Sequence, residues 1–151
     1  MISQTTILAL AMLLPGESEL PKQVELANEH LAVTFEDRGD GLRLAVIEDL
    51  ARGDAYRFET SEEIAVLILA PSAVHDPDVA MRYAFQKDFE LRAVDVSPDR
   101  TAMTLHFRHP RLEVQVAYEL QADAAELRKT TTCTAGEDGA YVAAITHWMF
   151  K

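Results

Sequence analysis

The feature of this sequence that most constrains its fold is a two-residue alternation of apolar and polar side chains. It is clearest in the segment 111–121, where five apolar residues share one parity: Leu112, Val114, Val116, Tyr118 and Leu120. Successive side chains of a β-strand point to opposite faces, whereas a helix would distribute this set around its circumference. The alternation therefore predicts a half-buried strand in an antiparallel sheet.

Shorter alternations of the same kind flank turn-forming residues elsewhere in the chain. The runs 31–35 and 42–46 lie on either side of Arg38-Gly39-Asp40-Gly41. Met103, Leu105 and Phe107 precede the strand at 112–120, with His109-Pro110 between the two runs. Glycine accepts a positive φ without steric cost, and a turn between two alternating runs is typical of a hairpin. Two hairpins are predicted.

The remaining segments extend the sheet. The apolar run 64–70 predicts a central strand covered on both faces, with a buried helix turn as the alternative. A change of phase near Ala93 predicts a bulge or a strand that lies between two layers. Further strands are expected at 127–134 and 141–150, whereas the segment 78–89 has a helical period. The predicted fold class is all-β, an antiparallel β-sandwich. Its core is predicted to unite seven residues: Phe35, Leu44, Leu105, Leu112, Val114, Val116 and Tyr118.

Composition limits the classes of partner. The 151 residues fit one domain, and a chain of this length can bury roughly 68–70% of its unfolded surface. There are 25 acidic and 14 basic residues, and the net charge of −11 repels a phosphate backbone, so nucleic acid is not an expected partner. The single cysteine, Cys133, cannot form an intramolecular disulfide, so the fold is expected to depend on apolar burial.

The N-terminus contains an unbroken apolar run, 7–14, that Pro15 and Gly16 end. A run this short does not reach the roughly 20 residues that a membrane-spanning helix needs. It is typical of the apolar part of a secretory signal peptide, with Gly16 and Ser18 placed for cleavage after Ser18. No Lys or Arg precedes Lys22, so a short strand or helix of the fold is the alternative. The prediction is a signal peptide at 1–18, a sandwich domain at 19–151 and a secreted or periplasmic location.

Two stretches of the chain carry a family resemblance. The first includes Leu26-Ala27-Asn28, the strand 31–35 and the turn at Arg52-Gly53, and the second runs from Leu112 to Lys129. Together they resemble the galactose-mutarotase-like β-sandwich that precedes the catalytic barrel of α-galactosidase-type glycoside hydrolases. The match covers roughly residues 24–134. It implies a non-catalytic accessory domain without a cofactor, whose expected partners are a carbohydrate and a downstream catalytic domain.

Four residues are candidates for ligand binding. His75, Asp76 and Asp78 offer an imidazole and two carboxylates within four residues, as a metal or sugar site requires, although Asp-Pro pairs also form ordinary turns. Trp148 offers a flat aromatic face on which a sugar ring can stack. Tyr56, Tyr83 and Tyr141 could serve in the same way if they are exposed. No metal site is predicted, because the segment 75–78 is interpreted as a turn and no HxH, HExxH or spaced third ligand accompanies His106, His109 or His147.

No catalytic residues are predicted. The neighbouring carboxylates Glu36/Asp37, Glu48/Asp49 and Glu62/Glu63 should point to opposite faces of their strands, which indicates solvated edges rather than an acid/base pair. Cys133 has no base nearby in sequence, and no GxSxG nucleophile motif occurs. His106 and His109 are interpreted as surface or half-buried side chains. The chain is therefore expected to hydrolyse no glycoside.

The C-terminal segment ends in three large apolar residues, Trp148, Met149 and Phe150, which only Lys151 follows. An apolar strand edge is a template for pairing, so residues 141–151 are predicted to contact a partner, a second copy or a downstream domain. A truncated connector is the alternative.

Three function classes stay open: an accessory domain of a carbohydrate-active enzyme, a stand-alone carbohydrate-binding or interaction domain of the cell envelope, and a small enzyme whose site is assembled from loops.

Overall fold

The computed structural model describes residues 19–69, 81–135, 141–146 and 149–150, and within these ranges it is composed almost entirely of strands. One short 3-10 helix, Gln86–Asp88, occurs in the same ranges. The strands in chain order are β1 (Gln23–Ala27), β2 (Leu31–Asp37), β3 (Leu42–Asp49), β4 (Asp54–Arg57), β5 (Ser61–Glu62), β6 (Ala65–Leu69), β7 (Met81–Phe85), β8 (Glu90–Val96), β9 (Ala102–His109), β10 (Leu112–Leu120), β11 (Leu127–Ala135), β12 (Tyr141–Thr146) and β13 (Met149–Phe150).

The strands form four antiparallel sheets. Two of them have four strands each, in the orders β1-β2-β3-β4 and β11-β10-β9-β8. A three-stranded sheet has the order β12-β6-β7, and a two-stranded sheet pairs β13 with β5. Consecutive strands are neighbours in both four-stranded sheets, as short turns require. The all-β, antiparallel, sandwich-like class predicted from the sequence is confirmed.

One apolar core unites the inner faces of these sheets. All seven residues predicted for the core belong to the same buried cluster, which also receives side chains from β1, β6, β7 and β9. Phe35 on β2 contacts Tyr118 on β10 across the core, with ring centroids 4.7 Å apart and planes tilted by 56°. Tilted aromatic pairs of this kind stabilise a core beyond the area they bury. Burial along β10 alternates as its sequence predicts.

The β2–β3 hairpin has its turn where the glycines were expected. Gly39 and Gly41 have φ angles of +97° and +105°, which L side chains rarely adopt. The carboxylate of Asp37 accepts hydrogen bonds from the backbone N–H groups of both glycines, at 2.9 and 3.2 Å. These contacts close the turn.

Strand β6 lies at the centre of the three-stranded sheet, as its continuous apolar sequence predicted. Ala65 and Val66, which point to opposite faces, are both buried. The predicted bulge is also confirmed, because the register of β8 against β9 shifts between Leu91 and Ala93. A residue inserted into one strand of a pair changes the parity of all that follows it, which accounts for the change of phase seen in the sequence.

The predicted helical period at 78–89 is wrong over the residues that the structure describes. Residues 81–85 form β7, which pairs with β6 along its whole length. Ala84 is buried opposite Val66, while Tyr83 and Phe85 lie on the other face, so the period of this segment is two. Phe85 and Phe89 are four positions apart, which suggested a helical spacing. Phe85 is the last residue of β7, and Phe89 directly follows the 3-10 helix.

The C-terminal segment forms two strands instead of the one predicted. Strand β12 pairs with β6, with a register shift between Val142 and Ala144, and β13 pairs with β5. The backbone of both strands is thus hydrogen-bonded within this chain along one edge. Contact of the segment 141–151 with a second copy or another domain stays a prediction.

Asn28 links the ends of the two four-stranded sheets. Its side-chain amide donates hydrogen bonds to the carbonyl oxygens of Gln121 and Ala124, at 2.6 and 3.2 Å. Its Oδ1 accepts from the backbone N–H groups of His30 and Leu31, at 2.8 and 2.7 Å. One side chain therefore closes the β1–β2 turn and holds it to the β10–β11 turn.

None of the residues described belongs to a helix long and apolar enough to cross a membrane.

Candidate functional site

The four residues predicted to bind a ligand, His75, Asp76, Asp78 and Trp148, lie outside the described residues. The predicted signal peptide at 1–18 lies outside them as well. Two of the alternative aromatic residues are accessible, since Tyr56 is 56% exposed on β4 and Tyr83 is 52% exposed on β7. A sugar ring can reach these two exposed rings, and stacking of a sugar on this domain stays a prediction.

A buried cluster of ionisable groups, not predicted from the sequence, lies where β5 leads into β6. The interpretation of Glu62/Glu63 as a solvated edge is wrong for Glu63, which is 1% exposed. Ser61 is buried to the same extent, whereas Glu62 is half-buried. A charged side chain is almost never fully buried unless it is paired. The environment of Glu63 therefore needs an explanation.

The Glu63 carboxylate is hydrogen-bonded at both of its oxygens. Its Oε1 accepts from the backbone N–H of Leu44 at 2.7 Å, and the Ser61 hydroxyl lies 3.1 Å from the same oxygen. The single proton of that hydroxyl is shared with the carbonyl oxygen of Leu44, which is 2.9 Å away. The Oε2 of Glu63 accepts from the Tyr118 hydroxyl and from the ammonium group of Lys129, the latter at 3.2 Å.

Lys129 reaches this carboxylate from β11. Its side chain is fully buried, and its Nζ lies 5.7 Å from the centroid of the Tyr118 ring. Burial lowers the pKa of Lys129 below the ordinary value, because desolvation disfavours the ammonium form; the charge and hydrogen bond of Glu63 act in the opposite direction. The pair is thus a buried ion pair with a destabilised cation, a state in which desolvation opposes the Coulombic attraction.

Gln86 forms a second layer around the cluster. Its Oε1 accepts the backbone N–H of Glu63 at 3.3 Å, and its Nε2 donates to the carbonyl oxygens of Asp40 and Leu42, at 3.3 and 3.1 Å. The side chain is completely buried, so these bonds replace those it would make to water. Gln86 thereby connects the 3-10 helix to the β2–β3 turn and to the residue that bears the carboxylate.

Arg43 forms an ion-pair network at the outer side of the cluster. Its guanidinium contacts the carboxylates of Asp40 and Glu62, and the distance from Nη1 to Glu62 Oε1 is 3.0 Å. Hydrogen bonding to Asp40 raises the pKa of Arg43 above its ordinary value, with Glu62 contributing in the same direction. The network holds β3 against β5 and so fixes the segment from which Glu63 extends.

Part of this cluster had a signal in the sequence. Lys129 has the same parity on β11 as Leu127 and Cys133, which pack against the core. In the β10–β11 pairing it lies directly opposite Tyr118, an inward-facing residue. A lysine at an inward parity indicates a buried partner, yet the partner comes from a residue 66 positions earlier. Only the packing of separate sheets brings the two together.

The surface of the described part carries shallow depressions. One, of about 410 Å³, is lined by Asp37, Gly41, Lys87 and Phe89 among others. Another, of about 290 Å³, lies on the outer face of β8, β9 and β10 beside His106, which bonds Asp95 at 2.8 Å. Among the described residues no three His, Cys, Asp or Glu side chains could together hold a metal ion.

Cys133 is half-buried on β11. Burial raises the pKa of its thiol, because desolvation disfavours the thiolate. The thiolate is the reactive form of cysteine, so this environment is that of a structural side chain and not of an activated nucleophile.

Comparisons of the chain with protein-family models, with curated proteins and with solved structures found no match.

Proposed function

We propose that this chain is a non-catalytic β-sandwich domain of a carbohydrate-active enzyme. The domain would support or position a catalytic domain of glycoside-hydrolase type and would carry no acid/base pair of its own. The proposal combines the sequence resemblance to the galactose-mutarotase-like sandwich with the antiparallel sheets of the described part.

The observation that carries the proposal is the state of Glu63. Its side chain is 1% exposed, and both of its carboxylate oxygens are hydrogen-bonded to surrounding groups. A glycosidase carboxylate must reach the glycosidic oxygen or the anomeric carbon across a cleft. A carboxylate withdrawn from solvent in this way cannot do so, which supports a role of this cluster in the fold.

A second candidate function, a stand-alone carbohydrate-binding domain, is favoured by a different observation. Tyr83 and Phe85 lie on the same face of β7, with ring centroids 6.1 Å apart and planes inclined by only 21°. Tyr83 is half exposed, so its ring is available to the apolar face of a pyranose. In this function the Tyr83/Phe85 pair would be the binding platform.

One set of experiments separates the two functions and tests both. The purified chain is incubated with a panel of aryl glycosides that includes galactosides, and it is titrated with neutral oligosaccharides by isothermal calorimetry. The accessory function predicts no turnover and no saturable binding. The binding function predicts saturable binding that Tyr83→Ala abolishes and that Tyr56→Ala, an equally exposed tyrosine on β4, leaves intact.

Turnover that is lost when one carboxylate is replaced would contradict both functions. The DNA that adjoins this reading frame gives an independent test of the accessory function. A segment that encodes a catalytic barrel would support it, whereas an isolated gene whose product binds oligosaccharides would favour the second candidate.

A further inference from the structure

The buried contact between Lys129 and Glu63 joins a nucleophile and an electrophile inside the core. The Nζ of Lys129 lies 3.2 Å from Oε2 of Glu63, and both side chains are withdrawn from water, at 0% and 1% exposure. Glu63 lies in the β5–β6 connection and Lys129 on β11, and the two are separated by 66 positions in the chain. A primary amine and a carboxyl group held this close are the reactants of an amide bond.

The surroundings supply what such a reaction needs. The Leu44 N–H points at Oε1 of Glu63 at 2.7 Å, where negative charge would develop in a tetrahedral intermediate. The Ser61 hydroxyl lies 3.1 Å from the same oxygen and shares its one proton with the Leu44 carbonyl oxygen. The Tyr118 hydroxyl is hydrogen-bonded to Oε2, the oxygen that would leave. Because the two groups are already held in contact, their reaction does not lose the translational and rotational freedom that two separate molecules would lose.

We propose that Lys129 and Glu63 form an intramolecular amide cross-link in the folded protein. The proposal goes beyond the accessory-domain function and does not depend on it. The reaction has no external substrate, so it is compatible with a cluster that solvent does not reach. In a chain with one cysteine, it would provide the covalent link between distant segments that a disulfide provides elsewhere.

The reaction balances without an oxidant or a co-reactant. A proton first passes from the Lys129 ammonium group to Oε2 of Glu63, which leaves a neutral amine and a neutral carboxyl group in contact. The amine lone pair then attacks Cδ, and the Nζ–Cδ bond forms. The Cδ–Oε2 bond breaks as a second proton moves from Nζ to Oε2 through the Tyr118 hydroxyl, and Oε2 leaves as water.

Mass spectrometry of the full chain under denaturing conditions tests the proposal. The intact mass is expected to be lower than the sequence mass by one water molecule. After proteolysis, the peptide that contains Glu63 and the peptide that contains Lys129 are expected as a single branched species. Trypsin should fail to cleave after Lys129, because the amide removes the positive charge that trypsin recognises.

Two variants and a matched control sharpen the test. Lys129→Arg keeps the cation but removes the nucleophile, so its intact mass should equal its sequence mass. Lys22→Met, at an exposed residue, should retain the loss of water. Tyr118→Phe keeps the ring and removes the proton relay, so the cross-linked fraction, followed by intact mass at intervals after synthesis, should rise more slowly.

The wild-type peptide map decides the question even if a variant fails to fold. Separate, unmodified Glu63 and Lys129 peptides in the folded wild-type chain would overturn the proposal and leave an ion pair only. A loss of water that maps to any other pair of residues would overturn it as well.

Discussion

The apolar core and the Glu63 cluster are two buried regions of the same domain that are stabilised by opposite means. In the core, Phe35, Leu105 and Val116 are excluded from water and contact other apolar side chains. In the cluster, Glu63, Lys129 and Gln86 are equally buried but depend on specific hydrogen bonds. Burial of apolar surface is non-directional, whereas a buried charge is tolerated only with a fitted partner.

Because of this difference, we expect the stability of the two regions to respond differently to substitution. A core position should tolerate another apolar residue of similar volume and lose stability in proportion to the volume removed. A position in the cluster should tolerate almost no single change, because each change leaves a neighbouring polar group without its partner.

The largest effect is expected at Phe35, which is fully buried and packs against Tyr118. Phe35→Ala should lower the free energy of unfolding by about 4 kcal/mol, because it removes a buried ring and leaves a cavity. Urea titration followed by circular dichroism measures this change. Leu50→Ala, at a residue that is 49% exposed, is the control and should change stability by less than about 0.5 kcal/mol.

Loss of one charged partner in the Glu63 cluster should lower the free energy of unfolding by nearly as much as Phe35→Ala does. Lys129→Met keeps the length and apolar stem of the side chain but removes the ammonium group, so the Glu63 carboxylate stays buried without its counter-charge. The expected loss is about 3 kcal/mol, measured by the same titration. Replacing Glu63 by Leu in the Lys129→Met background should recover part of it. If the double variant is less stable than the single one, the pair is not the source of the loss.

Asn28→Ala should have an intermediate effect. The substitution removes four hydrogen bonds that join two turns, but the groups released lie near the surface and can partly bind water. A decrease of about 2 kcal/mol is expected from thermal or urea unfolding. Gln115→Ala, at an exposed residue on the outer face of β10, is the matched control. Equal stability of the two variants would contradict the role given to Asn28.

The smallest effect on stability is expected for alanine at Gly39 or Gly41, the two glycines of the β2–β3 turn. Both have a positive φ, so alanine at either should cost about 1 kcal/mol from backbone strain. A Cβ at Gly39 meets no atom within 4 Å, whereas one at Gly41 approaches Leu91 at 3.3 Å and Gln86 at 3.4 Å. Gly41→Ala should therefore be the less stable variant in a direct comparison of unfolding midpoints. The reverse order would show that the turn does not pack against Gln86 as described.

The same contrast explains how much could be predicted from the sequence. The period-two patterns at 31–35, 103–107 and 112–120 predicted strands, faces and the shared core, because one face of each strand is apolar and the other polar. Strand β7 was missed because Val79, Met81 or Arg82, Phe85 and Phe89 fit a helical spacing in the sequence. Short apolar segments do not distinguish the two periods.

The Glu63 cluster could not be predicted in the same way. Its members lie on the β5–β6 connection, on β3, β10 and β11, and in the 3-10 helix, and no short motif unites them. Neighbouring acidic residues usually lie in solvent, so Glu62/Glu63 was interpreted by that general tendency. Tertiary packing decided otherwise for Glu63, because the Tyr118–Lys129 pair presents two donors on the inner face of its sheet.

The most direct test of the claim that Glu63 is a buried part of the fold is hydrogen exchange at the Leu44 amide. This N–H donates to Glu63 Oε1 at 2.7 Å, and both residues are excluded from solvent. The account predicts that, in NMR-detected exchange, Leu44 is protected to the same extent as Val116 in the centre of the core and exchanges only by global unfolding. Exchange of Leu44 as fast as that of the exposed β3–β4 turn, residues 50–53, would contradict it.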